Sequence, residues 1–140
     1  MKPQKSSSSL RETFSVKRQI QSFGYAFRGI KYVVKNEHNM RIHLLASVCV
    51  LLFGLLLQLN ITEWCFIVFA IGFVLFAETI NTSVELLTDL VSPDFHVLAE
   101  KTKDVAAGAV VIASITAAII GMLIFLPKMY VLVMKYPFLS

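Results

Sequence analysis

Charge is scarce in this sequence: Asp, Glu, Lys and Arg make up 16% of the 140 residues, against about 25% in an average soluble domain. A chain so poor in charge cannot clothe an ordinary water-facing surface. Cysteine is nearly absent as well. Cys49 and Cys65 both fall in apolar stretches with no paired-ligand spacing. That excludes a disulfide framework and a zinc module, and leaves two small buried hydrophobes. Neither GxxxxGKS nor GxGxxG occurs, so a glycine-rich loop of backbone amides is not what would cradle a phosphate here. No nucleic-acid-binding module is present either, and no nucleic acid partner is expected. Residues 1–10 are polar and rich in Ser and Lys, with no apolar core behind them. They read as a disordered tail rather than a cleavable signal peptide.

What the chain has instead is apolar length. Hydrophobic residues reach 56% and mean hydropathy is +0.71. They are concentrated in three runs, residues 42–59, 64–87 and 105–126, each close to the roughly 20 residues that cross a bilayer. Ahead of them, residues 11–36 place Phe14, Ile20, Phe23, Phe27, Ile30 and Val34 at three- and four-residue steps, with Lys17, Arg18, Arg28, Lys31 and Lys35 on the other face. That pattern predicts an amphipathic helix lying in the membrane interface. The fold class expected is therefore an all-α integral membrane protein of three spans and one surface helix, with residues 127–140 as a C-terminal tail. The net charge of +4 is weighted toward the N-terminal flank, which suits anionic headgroups or a polyphosphate ligand. Lys101 and Lys103 stand in the second connection, whereas Asn60-Ile61-Thr62-Glu63, read as the first connection, has no Lys or Arg. The positive-inside bias then puts the N-terminus and second loop in the cytoplasm. Small residues in the third span, Ala113, Ser114, Ala117 and Ala118, allow close helix packing, and a homo-oligomer is expected.

One polar stripe interrupts the second run. At about 100° per residue, Glu78, Asn81, Glu85 and Asp89 fall within roughly 80° of arc on a helix. An ionisable side chain in a membrane span costs about 2.5–3.5 kcal/mol on insertion scales and marks a functional site by default. Depth divides the stripe. Measured from Trp64, Glu78 lies about 21 Å inward and Glu85 about 32 Å, just past a hydrocarbon core about 30 Å thick. Glu37, Lys103 and Asp104 enter their spans at the same level. A carboxylate withdrawn from water is the stronger base, which suits removal of a hydroxyl proton. Carboxylates nearer water can share a hard cation such as Mg2+, which also takes phosphate oxygens and waters. The arrangement fits the joining of a soluble Mg-nucleotide to a membrane-embedded alcohol. A small proton- or cation-coupled transporter is the alternative reading, resting on the single deep carboxylate.

At these residues the sequence resembles the small prokaryotic diacylglycerol kinase family, which includes undecaprenol kinases. The resemblance rests on Glu78-x-x-Asn81-Thr82-Ser83-x-Glu85-x-x-x-Asp89, on Ser92-Pro93-Asp94-Phe95-His96, and on Lys103-Asp104-Val105-Ala106-Ala107-Gly108-Ala109-Val110. Upstream it takes in Gly24-Tyr25-Ala26-Phe27-Arg28-Gly29 and Asn36-Glu37-x-x-x-Arg41-Ile42-His43. Arg41-Ile42-His43 and the Lys103-Asp104 segment look more like the undecaprenol kinase branch. The resemblance implies a homotrimer in a bacterial plasma membrane, with ATP as co-substrate, Mg2+ as cofactor and a membrane lipid alcohol as acceptor. It implies that Glu78 is the general base, with Asn81 lining the catalytic centre, and that Glu37 and Glu85 hold the metal. Arg18, Tyr25, Glu37, Glu85, Asp89, Asp94, Phe95, His96, Lys103 and Asp104 would form the nucleotide site. Phe27, Lys31, Arg41, Glu78 and Ala107 would meet the lipid. His38, His43 and His96 carry no metal-ligand spacing; His38 and His43 are expected at the interface or an oligomer contact.

Overall fold

The computed structural model describes residues 15–135, which form four α-helices and no strand among the described residues. They are α1 (Val16–Asn36), α2 (His38–Leu56), α3 (Ile61–Val91) and α4 (Val97–Lys135). The chain falls into two units, Met1–Tyr32 and Val33–Ser140. In the first, α1 carries Ile20, Phe23, Tyr25 and Phe27 exposed, and the Arg28 guanidinium stands 4.7 Å over the Tyr25 ring. Phe14 and the preceding residues of the expected surface helix lie outside the described residues.

The second unit holds three helices long and apolar enough to cross a membrane: His38–Leu56, Ile61–Val91 and Val97–Met134. Packing runs chiefly between α3 and α4 and to a lesser extent between α2 and α3. On α3 the buried residues, Ile67, Ala70, Val74, Glu78, Asn81 and Thr82, recur at three- and four-residue steps and make a single helix face. The large side chains Phe66, Phe69, Phe73 and Phe76 point outward. In water such a surface would aggregate; against lipid tails, helices gain nothing by hiding it.

The helices outrun the apolar spans read from the sequence. α2 stops with the Gln58 amide donating to the Leu55 carbonyl (3.2 Å) and the Leu59 amide to that of Gly54 (3.1 Å), while Gln58 takes a left-handed φ of 50°. This is a Schellman stop, which ties off orphan carbonyls as the chain reverses. α3 begins at once with a capping box. The Asn60 side chain accepts from the Glu63 amide (3.0 Å), and the Asn60 amide donates to the Glu63 carboxylate (2.7 Å). Residues 60–63 are therefore a helix start, where the sequence reading placed a connection. α4 continues through Pro127 to Lys135, into the stretch expected as a tail. A helix in lipid accommodates proline because water offers its backbone no alternative partner.

Candidate active site

The polar stripe of α3 continues the buried apolar stripe into the half of the helix nearer the α3–α4 loop. Exposure rises along it in order. Glu78 is 1% exposed and Asn81 6%, Glu85 is half-buried, and Asp89 stands in the open. Helical back-bonding fixes this register locally. Thr82 donates its hydroxyl to the Glu78 carbonyl (3.1 Å), and Thr79 and Thr88 donate to Leu75 and Val84 (both 2.8 Å).

Two side-chain pairs organise the stripe. The Asn81 amide nitrogen Nδ2 donates to Glu85 Oε1 at 2.8 Å, which pins one carboxylate oxygen one turn on. Lys103 Nζ on α4 meets Asp89 Oδ1 at 2.5 Å, joining the two helices next to their loop. Two buried oxygens have no partner among the described residues: Glu78 Oε2 and Asn81 Oδ1. An unsatisfied buried acceptor costs about 1–3 kcal/mol, and a pair of them on one face marks a place built to receive a donor, such as a hydroxyl.

Three groups act electrostatically on Glu78: His43, then Glu37, then Glu85. Glu37 caps the start of α2 with extended backbone, and its side chain makes no capping bond. Its carboxylate is thus uncommitted to the helix, although it sits where an acidic cap would normally be used. Around the α3–α4 loop, Asp89, Asp94, Phe95, His96 and Lys103 line one cavity of about 270 Å³. Within it, His96 Nδ1 accepts from the Leu98 amide (3.2 Å), and the Ser92 hydroxyl donates to the Asp94 carbonyl (3.1 Å).

The second unit thus sets Glu78, Asn81 and Glu85 on one face of α3, with Glu37 acting electrostatically on Glu78, and gathers Asp89, Asp94, Phe95, His96 and Lys103 around one cavity. Arg41 on α2 and Asp104 and Ala107 on α4 are exposed and enter neither pairing. Arg18, Tyr25, Phe27 and Lys31 belong to α1 in the first unit, all exposed. No group of three or more His, Cys, Asp or Glu forms a ready metal cage among the described residues. Mg2+ does not ask for one, since it is usually held by one or two carboxylates plus waters and phosphate. Two oxygen-donor carboxylates, Glu37 uncapped and Glu85 steadied on one oxygen by Asn81, suit that role.

The sequence reading expected His43 at the interface or an oligomer contact and gave it no part in the site. It is half-buried and lines an apolar groove of about 380 Å³ between α2, α3 and α4. The signal was available: His43, Ala46, Ser47 and Val50 recur at helical steps and share that groove. The small residues of α4 also divide differently from expectation. Ala113 is fully buried, whereas Ser114, Ala117 and Ala118 line the open groove, beyond which α2 and α4 meet through Phe53 and Phe125 (ring centroids 6.4 Å apart).

Compared with known proteins, residues 24–125 match the model of the family described as prokaryotic diacylglycerol kinase. The chain is similar to the undecaprenol kinase of Bacillus subtilis (strain 168), 42% identical over 112 residues that cover 80% of this chain and 91% of the relative. It is 37% identical to a diacylglycerol kinase of Synechocystis over 109 residues, 77% of this chain and 62% of that protein. With the diacylglycerol kinase of Escherichia coli (strain K12) the identity is 26% over 102 residues, 73% of this chain and 84% of the relative. The transporter alternative finds no support among these relatives.

Proposed function

The chain belongs to the prokaryotic diacylglycerol kinase family, and on that premise we propose that it transfers the γ-phosphoryl group of ATP to the hydroxyl of a membrane lipid alcohol, by the route its own residues suggest. The observation that carries the route is Glu78, nine-tenths and more buried, with one carboxylate oxygen unclaimed and a second unclaimed acceptor on Asn81 beside it.

In this reading the lipid hydroxyl donates to Glu78. As its oxygen attacks the γ-phosphorus, the O–H bond breaks toward Glu78, a P–O bond forms, and the bond to the departing ADP oxygen breaks. A positioned base of this kind contributes about 10²–10⁴-fold. Asn81 holds Glu85 on one side and offers its free carbonyl oxygen to the acceptor on the other. Glu37 and Glu85 would hold Mg2+, which when bound neutralises phosphate charge. Lys103 exchanges Asp89 for a phosphate oxygen. Asp94, Phe95, His96 and Asp104 border the nucleotide. Arg41 and Ala107 line the approach of the lipid.

Undecaprenol is the favoured acceptor over diacylglycerol, supported by the 42% identity to a protein of that name and by the Arg41-Ile42-His43 segment. The protein works as a homotrimer in the bacterial plasma membrane. α1 lies on the cytoplasmic surface, and the Glu78 face opens toward the cytoplasm, as the Lys and Arg bias supports.

The test is phosphorylation in mixed micelles with labelled ATP and Mg2+, offering undecaprenol and diacylglycerol separately. Labelled undecaprenyl phosphate is expected at the higher rate. Glu78→Gln should lower kcat by about 10²–10⁴-fold while ATP binding persists. No labelled lipid from either acceptor would refute the kinase reading, and an unimpaired Glu78→Gln enzyme would refute the role of Glu78.

A further inference from the structure

α4 is longer than the membrane it crosses. Its 39 residues extend about 58 Å at 1.5 Å per residue, against a hydrocarbon core about 30 Å thick. Part of the helix lies outside that core, and two ion pairs show which part. Lys103 meets Asp89 at one end of the α3–α4 pair, and Lys128 meets Glu63 Oε2 (3.0 Å) at the other. From Glu63 to Asp89 along α3, as from Lys103 to Lys128 along α4, is about 38 Å at 1.5 Å per residue. That spacing sets one charged pair in each headgroup layer of a bilayer about 40–45 Å thick overall. Tilting the helices to shorten the span would pull an ion pair into the hydrocarbon, where charge is costly.

Beyond Lys128, α4 continues with Met129, Tyr130, Val131, Leu132, Val133 and Met134, every one exposed. At about 100° per residue these positions go more than once around the helix, so the segment is apolar on every face. Standing upright it would rise about 9 Å past the ion pair, out of the headgroups and into water. A second protein helix could cover one side of such a segment, whereas lipid covers all of them. Its surface also runs on from Met122, Leu123 and Leu126, which are exposed on the span itself. Tyr130 comes just after Lys128, and Trp64 just after Glu63, the placement of an aromatic belt at a membrane boundary. Pro127 supplies the place to bend, because it has no amide to hold the Leu123 carbonyl one turn back.

We propose that residues 127–134 form an interfacial anchor: the helix turns at Pro127 and lies along the boundary between headgroups and chains in the leaflet farther from Asp89 and Lys103, with phospholipid as its partner. A long apolar stretch in a bilayer too thin for it bends or tilts, and here the two ion pairs leave bending as the available response. Lys128 stands at the root of the anchor and is tied to Glu63, whose carboxylate also closes the capping box of α3. The anchor thereby holds the first turn of α3 at a fixed depth.

Depth can be read by tryptophan fluorescence from the full chain in phosphatidylcholine vesicles. Trp64→Phe leaves one reporter, placed by Tyr130→Trp or, in a second protein, by Val133→Trp. Lipid brominated near the headgroup end of its chains should quench both reporters about twofold more than lipid brominated near the chain ends, as a shallow helix requires. Aqueous iodide should quench them about fivefold less than free tryptophan. Iodide quenching equal to that of free tryptophan overturns the proposal, since the segment then stands in water. Stronger quenching from the chain ends overturns it as well, because α4 then runs on as a straight rod. Quenching by neither agent also overturns it, and makes a second copy or another protein the cover. Since the Trp64 ring packs on Gly54, photolabelling of the unaltered chain provides a check that needs no substitution. A phospholipid with a diazirine close to its headgroup should label residues 129–134, and label found elsewhere on the chain but not there would refute the anchor.

Discussion

A buried carboxylate is tolerated in a membrane helix only when its neighbours need it, and Glu78 shows how the site is graded. Its immediate partners on α3, Asn81 and Glu85, hold each other, so the unclaimed acceptor atoms are left for a ligand. Lys103 is the contrasting residue. Its bond to Asp89 is exposed, with side-chain exposures of 37% and 63%, and an exposed pair is worth no more than about 1 kcal/mol. Lys103 can therefore leave Asp89 for a phosphate at little cost. Lys103→Met is expected to raise the KM for ATP by about tenfold or more, the usual weight of a lost charge-assisted bond. The thermal midpoint should hardly move. Enzyme kinetics beside a melting curve will decide, and a large fall in stability at unchanged KM would make Lys103 a structural tie instead. Glu78, Asn81 and Glu85 could be read as one face from the sequence, because helical periodicity is local. The Lys103–Asp89 pair could not, because 14 residues and a loop separate the partners.

Among the elements, the α2–α3 turn sets how α2, capped by Glu37, packs against α3 and its polar face. Its tightness depends on Gly54. A Cβ there would stand 2.7 Å from Trp64 Cη2, closer than real carbon contacts allow, and the indole is a rigid ring. Gly54→Ala is expected to destabilise the protein by about 1–3 kcal/mol, the usual cost of overpacking, seen as a lower unfolding midpoint in detergent. Adding Trp64→Phe, which removes the clashing ring carbon, should restore part of the loss. If Gly54→Ala alone is neutral, the close approach of α2 to α3 is not what holds the turn. On the far side of the turn Lys128 reaches Glu63 Oε2 at 3.0 Å, so α4 is tied to the same capping box. The capping box was legible as Asn60-Ile61-Thr62-Glu63. It was read as a connection because those polar residues interrupt the apolar run, and hydropathy marks spans rather than helix ends.

For the whole molecule, the chain is a multi-pass membrane protein whose apolar side chains mostly face outward, with few left for an internal core. Glu37 and Glu85 are only half-buried in the chain as described, and a protein that keeps charge near lipid gains by covering such groups with a neighbour. Native mass spectrometry from detergent is expected to give a trimer, and its dissociation to monomer should abolish lipid phosphorylation. A fully active monomer would refute the trimer as the working form. By itself the sequence determined the three apolar spans, the polar face on the second and the family to which they belong. Each of those follows from local periodicity, composition or motif spacing. The tertiary structure decided what that face meets. It set Glu37 and His43 within electrostatic reach of Glu78, left the Glu78 and Asn81 oxygens without partners among the described residues, and closed Asp89 on Lys103. Which side chains meet is set by how helices cross and turn, and that depends on packing and caps that no single stretch of sequence carries.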